Sequence, residues 1–106
     1  MLTLPISEPW FSMIVSGEKK EEYRDIKPFY TTRFKNVGLL DDTYSCTDKE
    51  IEILFRNGYD LNKPYFCAKV TLSKGRGRRA WGAASNKLYY VLKINKLTEI
   101  YINEKK

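Results

Sequence analysis

Apolar residues in this chain fall into short runs cut by turn residues, and most runs are long enough only for a strand. "IEILFRN" (51–57) alternates Ile51, Ile53 and Phe55 to one side before "NG" signals a turn. "YFCAKVTLS" (65–73) predicts a strong strand, and "KLYYVLKI" (87–94) and "KLTEIYI" (96–102) predict two closing strands. "MLTLPI" (1–6) predicts a short first strand, and "KKEEYRDI" (19–26) a second. Helical spacing occurs only near the start. Trp10, Phe11, Ile14 and Val15 share one face of a helix that Ser7 can cap and Gly17 can stop. "KPFYTTRF" (27–34) predicts a second helix opening at Pro28, with Phe29, Tyr30 and Phe34 as its apolar side. Strands this close together, with two early helices, predict an α+β fold: a small mixed sheet rolled into a β-barrel with flanking helices. The turn-rich, acidic stretch 36–50 reads as a loop over a site or a long connection.

A chain of 106 residues without linker or repeat predicts one domain, 1–106. No apolar run reaches the roughly 20 residues that span a bilayer. The first ten residues have no basic segment followed by an apolar run, so a cytoplasmic protein without a membrane partner is expected.

The chain has no histidine. A Ser-His-Asp site is therefore impossible, and the commonest general base and metal ligand is missing. Cys46 and Cys67 stand 21 positions apart without a second pair, which is not zinc-ligand spacing, so two reduced thiols are expected. Neither a metal nor a cofactor is expected. Chemistry, if any, rests on Lys, Glu, Asp, Tyr or the thiols.

Charge is unevenly distributed. Residues 1–60 hold eight basic and eleven acidic side chains, whereas residues 61–98 hold nine basic side chains and no acid. A basic field with a location attracts polyanions, of which nucleic acid is the usual one. Within it lies "KGRGRRAWGAASNK" (74–87). Lys74, Arg76, Arg78 and Arg79 offer phosphate contacts, glycines allow close backbone approach, and Trp81 offers a stacking face. Arg56 and Asn57, at a strand end, reach toward a cleft, although Asn57-Gly58 is also a turn signal.

The charged run "GEKKEEYRDIKP" (17–28) holds a third group. In a strand, Lys20, Glu22 and Arg24 face one way and Glu21, Tyr23 and Asp25 the other. Lys19 sits in the turn before it. Lysine and arginine converging there would hold a phosphate or a base carbonyl, with Glu22 orienting them or reading a base amino group. The plain alternative is a salt-bridge set on a wet face, worth little.

The stretch "PISEPWFSMIVSGEKKEEYR" resembles the ASCH domain family (the activating-signal-cointegrator homology domain, related to the PUA-like fold). Gly17, Lys19, Glu22 and Arg24 fit the family motif G-x-K-x-x-E-x-R without a gap. "FRNGY", "WGA" and "KLYYVLKI" look like segments of small bacterial and phage members, so the resemblance covers nearly the full chain. It implies a small β-barrel with flanking helices, a cleft lined by the motif residues, and binding of RNA or a modified nucleotide. Some small members hydrolyse the acetyl amide of N-acetylcytidine nucleosides, and others are ribonucleases. The resemblance then implies Lys19 and Glu22 as catalytic groups. The amidohydrolase members carry a threonine where this chain has Glu22 and a glutamate further along, for which residues 61–98 offer no match. A nucleic-acid-binding module is the leading reading, a small nucleoside amidohydrolase or ribonuclease the second, and a protein-interaction adaptor built on the aromatic surface the third.

Overall fold

The computed structural model describes residues 1–102. Its order is β1 (Thr3–Pro5), α1 (Trp10–Val15), β2 (Glu21–Asp25), α2 (Pro28–Asn36), β3 (Ile51–Arg56), β4 (Tyr65–Arg76) and β5 (Leu88–Tyr101), with one 3-10 turn, Arg79–Trp81, between β4 and β5. The strands form one mixed five-stranded sheet in the order β1-β3-β4-β5-β2. Only β1 and β3 are parallel; the other neighbours are antiparallel. The domain is α+β.

The expected barrel closure is not made by strand pairing. Among the described residues β1 and β2 are the two edges of the sheet. With three and five residues they are too short for a long ladder, and Pro5 has no N–H to donate to one. A side chain spans the gap instead: Arg24 Nη2 of β2 donates to the carbonyl oxygen of Pro5 at 2.6 Å.

The two predicted closing strands are one strand of 14 residues. Its register against β4 shifts between Cys67 and Ala68 and again between Lys69 and Val70. Each shift accommodates an extra residue on β5, Thr98 and then Asn95, so the strand bends without ending. β4 likewise runs on past its predicted end at Ser73, through Lys74, Gly75 and Arg76.

α1 begins at Trp10, but Ser7 is not its side-chain cap. The Glu8 carboxylate accepts from the Ser12 backbone N–H at 3.1 Å and from the Ser12 hydroxyl at 2.9 Å. Gly17 ends the helix as expected, at φ +87°, a conformation that favours glycine. α2 opens with Pro28 in its first turn, also as expected. Of its three predicted apolar residues, Phe34 is buried, Tyr30 is half-buried and Phe29 is exposed. The core packs Phe11 and Ile14 of α1 and Phe34 of α2 against Ile53, Phe55, Phe66 and Leu92 of the sheet. Segment 36–50 contributes to this core, because Leu39 and Leu40 are buried and their N–H groups bond the Phe34 carbonyl. It is a structural connection as well as a turn-rich one. No helix among the described residues is long and apolar enough to cross a membrane.

Candidate nucleic-acid interface

β2 alternates half-buried and buried residues, so the inward side chains are Glu22 and Arg24, as the pattern predicts. Lys19 joins them from the turn after α1. Its N–H bonds the Met13 carbonyl, and the Lys20 carbonyl accepts from Ile94 N–H, which ties the turn to β5. The three charged residues therefore converge. Glu22 Oε1 lies 3.2 Å from Lys19 Nζ, and Glu22 Oε2 accepts from Arg24 Nη2 at 2.8 Å and from Arg24 Nε at 3.2 Å. Arg24 also reaches the Tyr30 hydroxyl at 3.4 Å.

This is not a wet salt-bridge set. Lys19, Glu22 and Arg24 are 2%, 7% and 8% exposed. The Lys19 ammonium also sits over the rings of Trp10, at 5.1 Å, and Tyr23, at 4.8 Å. Its remaining direction is taken by the backbone carbonyl of Trp81. Burial is the largest influence on Lys19 and pulls its pKa below the usual lysine value, while the Glu22 carboxylate pushes back. Each cation of the cluster also grips backbone: Lys19 holds Trp81, and Arg24 holds Pro5.

The segment between β4 and β5 is folded back on the sheet rather than free. Gly77 lies against Tyr23 and Ala83 so closely that a Cβ there would stand 2.6 Å from the Tyr23 ring and 2.7 Å from Ala83 Cβ. Gly82, at φ +104°, packs on the Trp10 ring. Ala83 of the segment packs with Tyr23, Tyr89 and Val91 of the sheet in a second small apolar cluster. Two tyrosine hydroxyls anchor its backbone: Arg78 N–H donates to Tyr23 at 2.9 Å and Ala84 N–H donates to Tyr89 at 2.9 Å. Tyr23 in turn donates to Glu21 at 2.7 Å. Its pKa is pushed up to about 12, by burial first and then by the Glu21 contact, while the Arg78 N–H opposes.

The acid-free stretch becomes one antiparallel hairpin, and its far end carries the predicted cations. Arg76, Arg78 and Arg79 are exposed, and none is in an ion pair among the described residues. Lys74 is exposed too, but its ammonium donates to the Tyr44 carbonyl at 3.1 Å. Trp81 is half-buried, with the Arg78 guanidinium 4.7 Å over its ring. Lys87 bonds Asp25 at 2.9 Å, which neutralises one edge of the patch.

Arg56 and Asn57 stand elsewhere. Asn57 Nδ2 donates to Glu8 at 3.3 Å, helping to hold the start of α1. Arg56, half-buried, lines a separate groove beside α2. They do not join the Lys19 cluster. The sequence gives no sign of Tyr23 as the link between the motif and the loop, because the partners are 55 residues apart. Both cysteines have pKa values raised by burial, Cys67 within the sheet and Cys46 beside the Leu40 bridge. Among the described residues no cluster of Cys, Asp or Glu could hold a metal ion. No protein-family model, curated protein or solved structure matches this chain.

Proposed function

We propose that this chain is an ASCH-like, PUA-like module that binds single-stranded nucleic acid, RNA or a modified nucleotide within it, through the end of the β4–β5 hairpin. The observation that carries the reading is three arginines, Arg76, Arg78 and Arg79, in no ion pair among the described residues, around a half-buried Trp81 on a segment that the sheet anchors at several points. Exposed cations that no carboxylate neutralises suit phosphates. Bases stack on tryptophan rings and on arginine planes alike, so Arg78 over Trp81 makes a ledge of the right chemistry. In this reading the motif residues Lys19, Glu22 and Arg24 act from inside. They hold the loop and the first strand rather than touch the ligand, and an anchored loop loses less entropy on binding. The side-chain bridge from Arg24 to Pro5 is compatible with a barrel-like, PUA-related curl.

The test is binding of short single-stranded RNA and DNA oligomers over a range of salt. Affinity that falls steeply with salt supports the reading, and absent or salt-independent binding at low salt overturns it. A second reading, a nucleoside amidohydrolase, is favoured by one observation. Lys19 combines a lowered pKa with a carboxylate at 3.2 Å, the arrangement of a lysine base. Incubation with N-acetylcytidine, followed by chromatography, decides it: no deacetylated product excludes this activity.

A further inference from the structure

Beside α2 lies a groove of about 310 Å³. It is lined by Pro5 of β1 and Arg56 of β3, which are paired in register, by Phe29, Tyr30 and Arg33 of α2, and by Tyr59. The volume is at the lower end of the roughly 300–1,000 Å³ typical of small-molecule sites, which suits one nucleotide rather than a large ligand.

The groove is built around two guanidinium groups without an acid. No carboxylate lines it, and neither Arg33 nor Arg56 is in an ion pair among the described residues. Arg33 is pre-set: its Nη1 donates to the Phe29 carbonyl at 2.8 Å and its plane lies 3.6 Å from the Phe29 ring centre. Arg56 has a deficit. Its Nε is buried and has no hydrogen-bond partner among the described residues, although the guanidinium stands 5.7 Å over the Tyr65 ring. A buried donor on a charged group without an acceptor is costly, and few are left so in folded proteins. Arg56 lines the groove all the same, and an anion there would meet a guanidinium that is in no ion pair among the described residues. Flat apolar surface waits on the same groove: Tyr59 is 88% exposed and Phe29 50% exposed.

We propose that this groove is a nucleotide site, in which Arg33 and Arg56 share a terminal phosphate and the base stacks on Tyr59. Paired guanidinium groups match the oxygens of a phosphate in a way that ammonium groups do not. The ligand is a nucleoside 5′-monophosphate, free or at the 5′ end of an RNA. This site stands apart from the hairpin surface and does not require it.

Calorimetric titration of the full chain with AMP, adenosine, inorganic phosphate, and a short RNA with and without a 5′-phosphate tests the assignment. AMP is expected to bind, with adenosine and phosphate each at least about tenfold weaker, because each lacks one half of the contacts. Arg33→Gln and Arg56→Gln should each weaken AMP by about tenfold or more, and Arg33→Gln remains informative if Arg56→Gln fails to fold. AMP binding that is lost in Arg78→Gln with Arg79→Gln but kept in Arg33→Gln would place the nucleotide on the hairpin and overturn the assignment. A 5′-phosphate that strengthens RNA binding in the parent but not in Arg33→Gln marks the chain end as the source; RNA binding indifferent to the 5′-phosphate marks the free nucleotide. The assignment is overturned if AMP does not bind, if phosphate alone binds as tightly, or if the Arg33 variant binds AMP as the parent does.

Discussion

Lys19, in the turn after α1, donates to the backbone carbonyl of Trp81, 62 residues later, and the same ammonium meets Glu22. Glu22 binds Arg24, and Arg24 binds the Pro5 carbonyl. One buried chain of charges thus connects the loop after β4 to the first strand, across the open side of the sheet. The three residues act as a unit: among the described residues Glu22 is the ion-pair partner of both cations, and it keeps one partner when either is lost.

Replacing Lys19 by Met keeps the stem and removes the charge. Glu22 then loses its ammonium, and the Trp81 carbonyl loses its donor. Glu22 keeps Arg24, so no charge is stranded, and the loss is that of one charged donor with two acceptors, about 1–3 kcal/mol. Guanidinium unfolding should show a lower midpoint with an unchanged slope. A loss under about 1 kcal/mol would mean that the cluster is better solvated than its burial indicates.

Much of this arrangement was legible in the sequence. Period-two alternation placed Glu22 and Arg24 on one face of β2, Gly17 marked the end of α1, and Pro28 the start of α2. Local signals were sufficient there because neighbouring residues decide the outcome. What was not legible depends on distant partners. Nothing near Tyr23 says that its hydroxyl accepts the Arg78 N–H, and nothing near Thr98 or Asn95 says that β5 absorbs an extra residue at each. Edge or closure is likewise a property of β1 and β2 together, and no single stretch encodes it. Arg33 is, in the sequence, one cation on a helix; only the fold brings it to the groove of Arg56.

Gly77 and Gly75 separate close packing from mere flexibility. A methyl at Gly77 would collide with the Tyr23 ring and Ala83, whereas nothing lies within 4 Å of one at Gly75. Gly77→Ala should therefore destabilise by about 1–3 kcal/mol, the usual cost of overpacking. Gly75→Ala should stay within about 0.5 kcal/mol of the parent, as surface substitutions do. Thermal unfolding of the two variants side by side checks the contrast. Equal effects would mean that the loop does not rest on Tyr23.

Tyr23 should make the fold sensitive to alkali. Its folded-state pKa is raised from 10.0 to about 12, so the folded chain keeps a proton that the unfolded chain releases. The resulting stability is fully present below pH 10 and is lost as pH rises toward 12. Lys19 acts in the opposite sense. Its lowered pKa means that the unfolded chain binds more protons just below 10.5, so its contribution rises with pH up to that value. Tyr23→Phe removes the first effect alone. Near-ultraviolet phenolate absorbance of parent minus variant should show one phenol titrating well above pH 10. A difference spectrum that titrates at pH 10 would contradict the buried, bonded hydroxyl.

The hairpin cations and Trp81 should fail in different ways. Arg78 and Arg79 are exposed and in no ion pair among the described residues, so their contribution to RNA binding is phosphate charge. Replacing both with Gln should lower affinity for every oligomer alike and reduce the salt slope by about 0.7 for each single-strand phosphate no longer neutralised. Trp81 carries no charge, and its backbone carbonyl, not its ring, holds Lys19. Trp81→Leu should therefore leave the Lys19 hydrogen bond available and keep the salt slope, while weakening binding by the roughly 1–3 kcal/mol of a stacked base. Fluorescence anisotropy with labelled single-stranded RNA at several salt concentrations reads both quantities. A Trp81 variant that loses salt slope but not affinity would remove the ring from the interface.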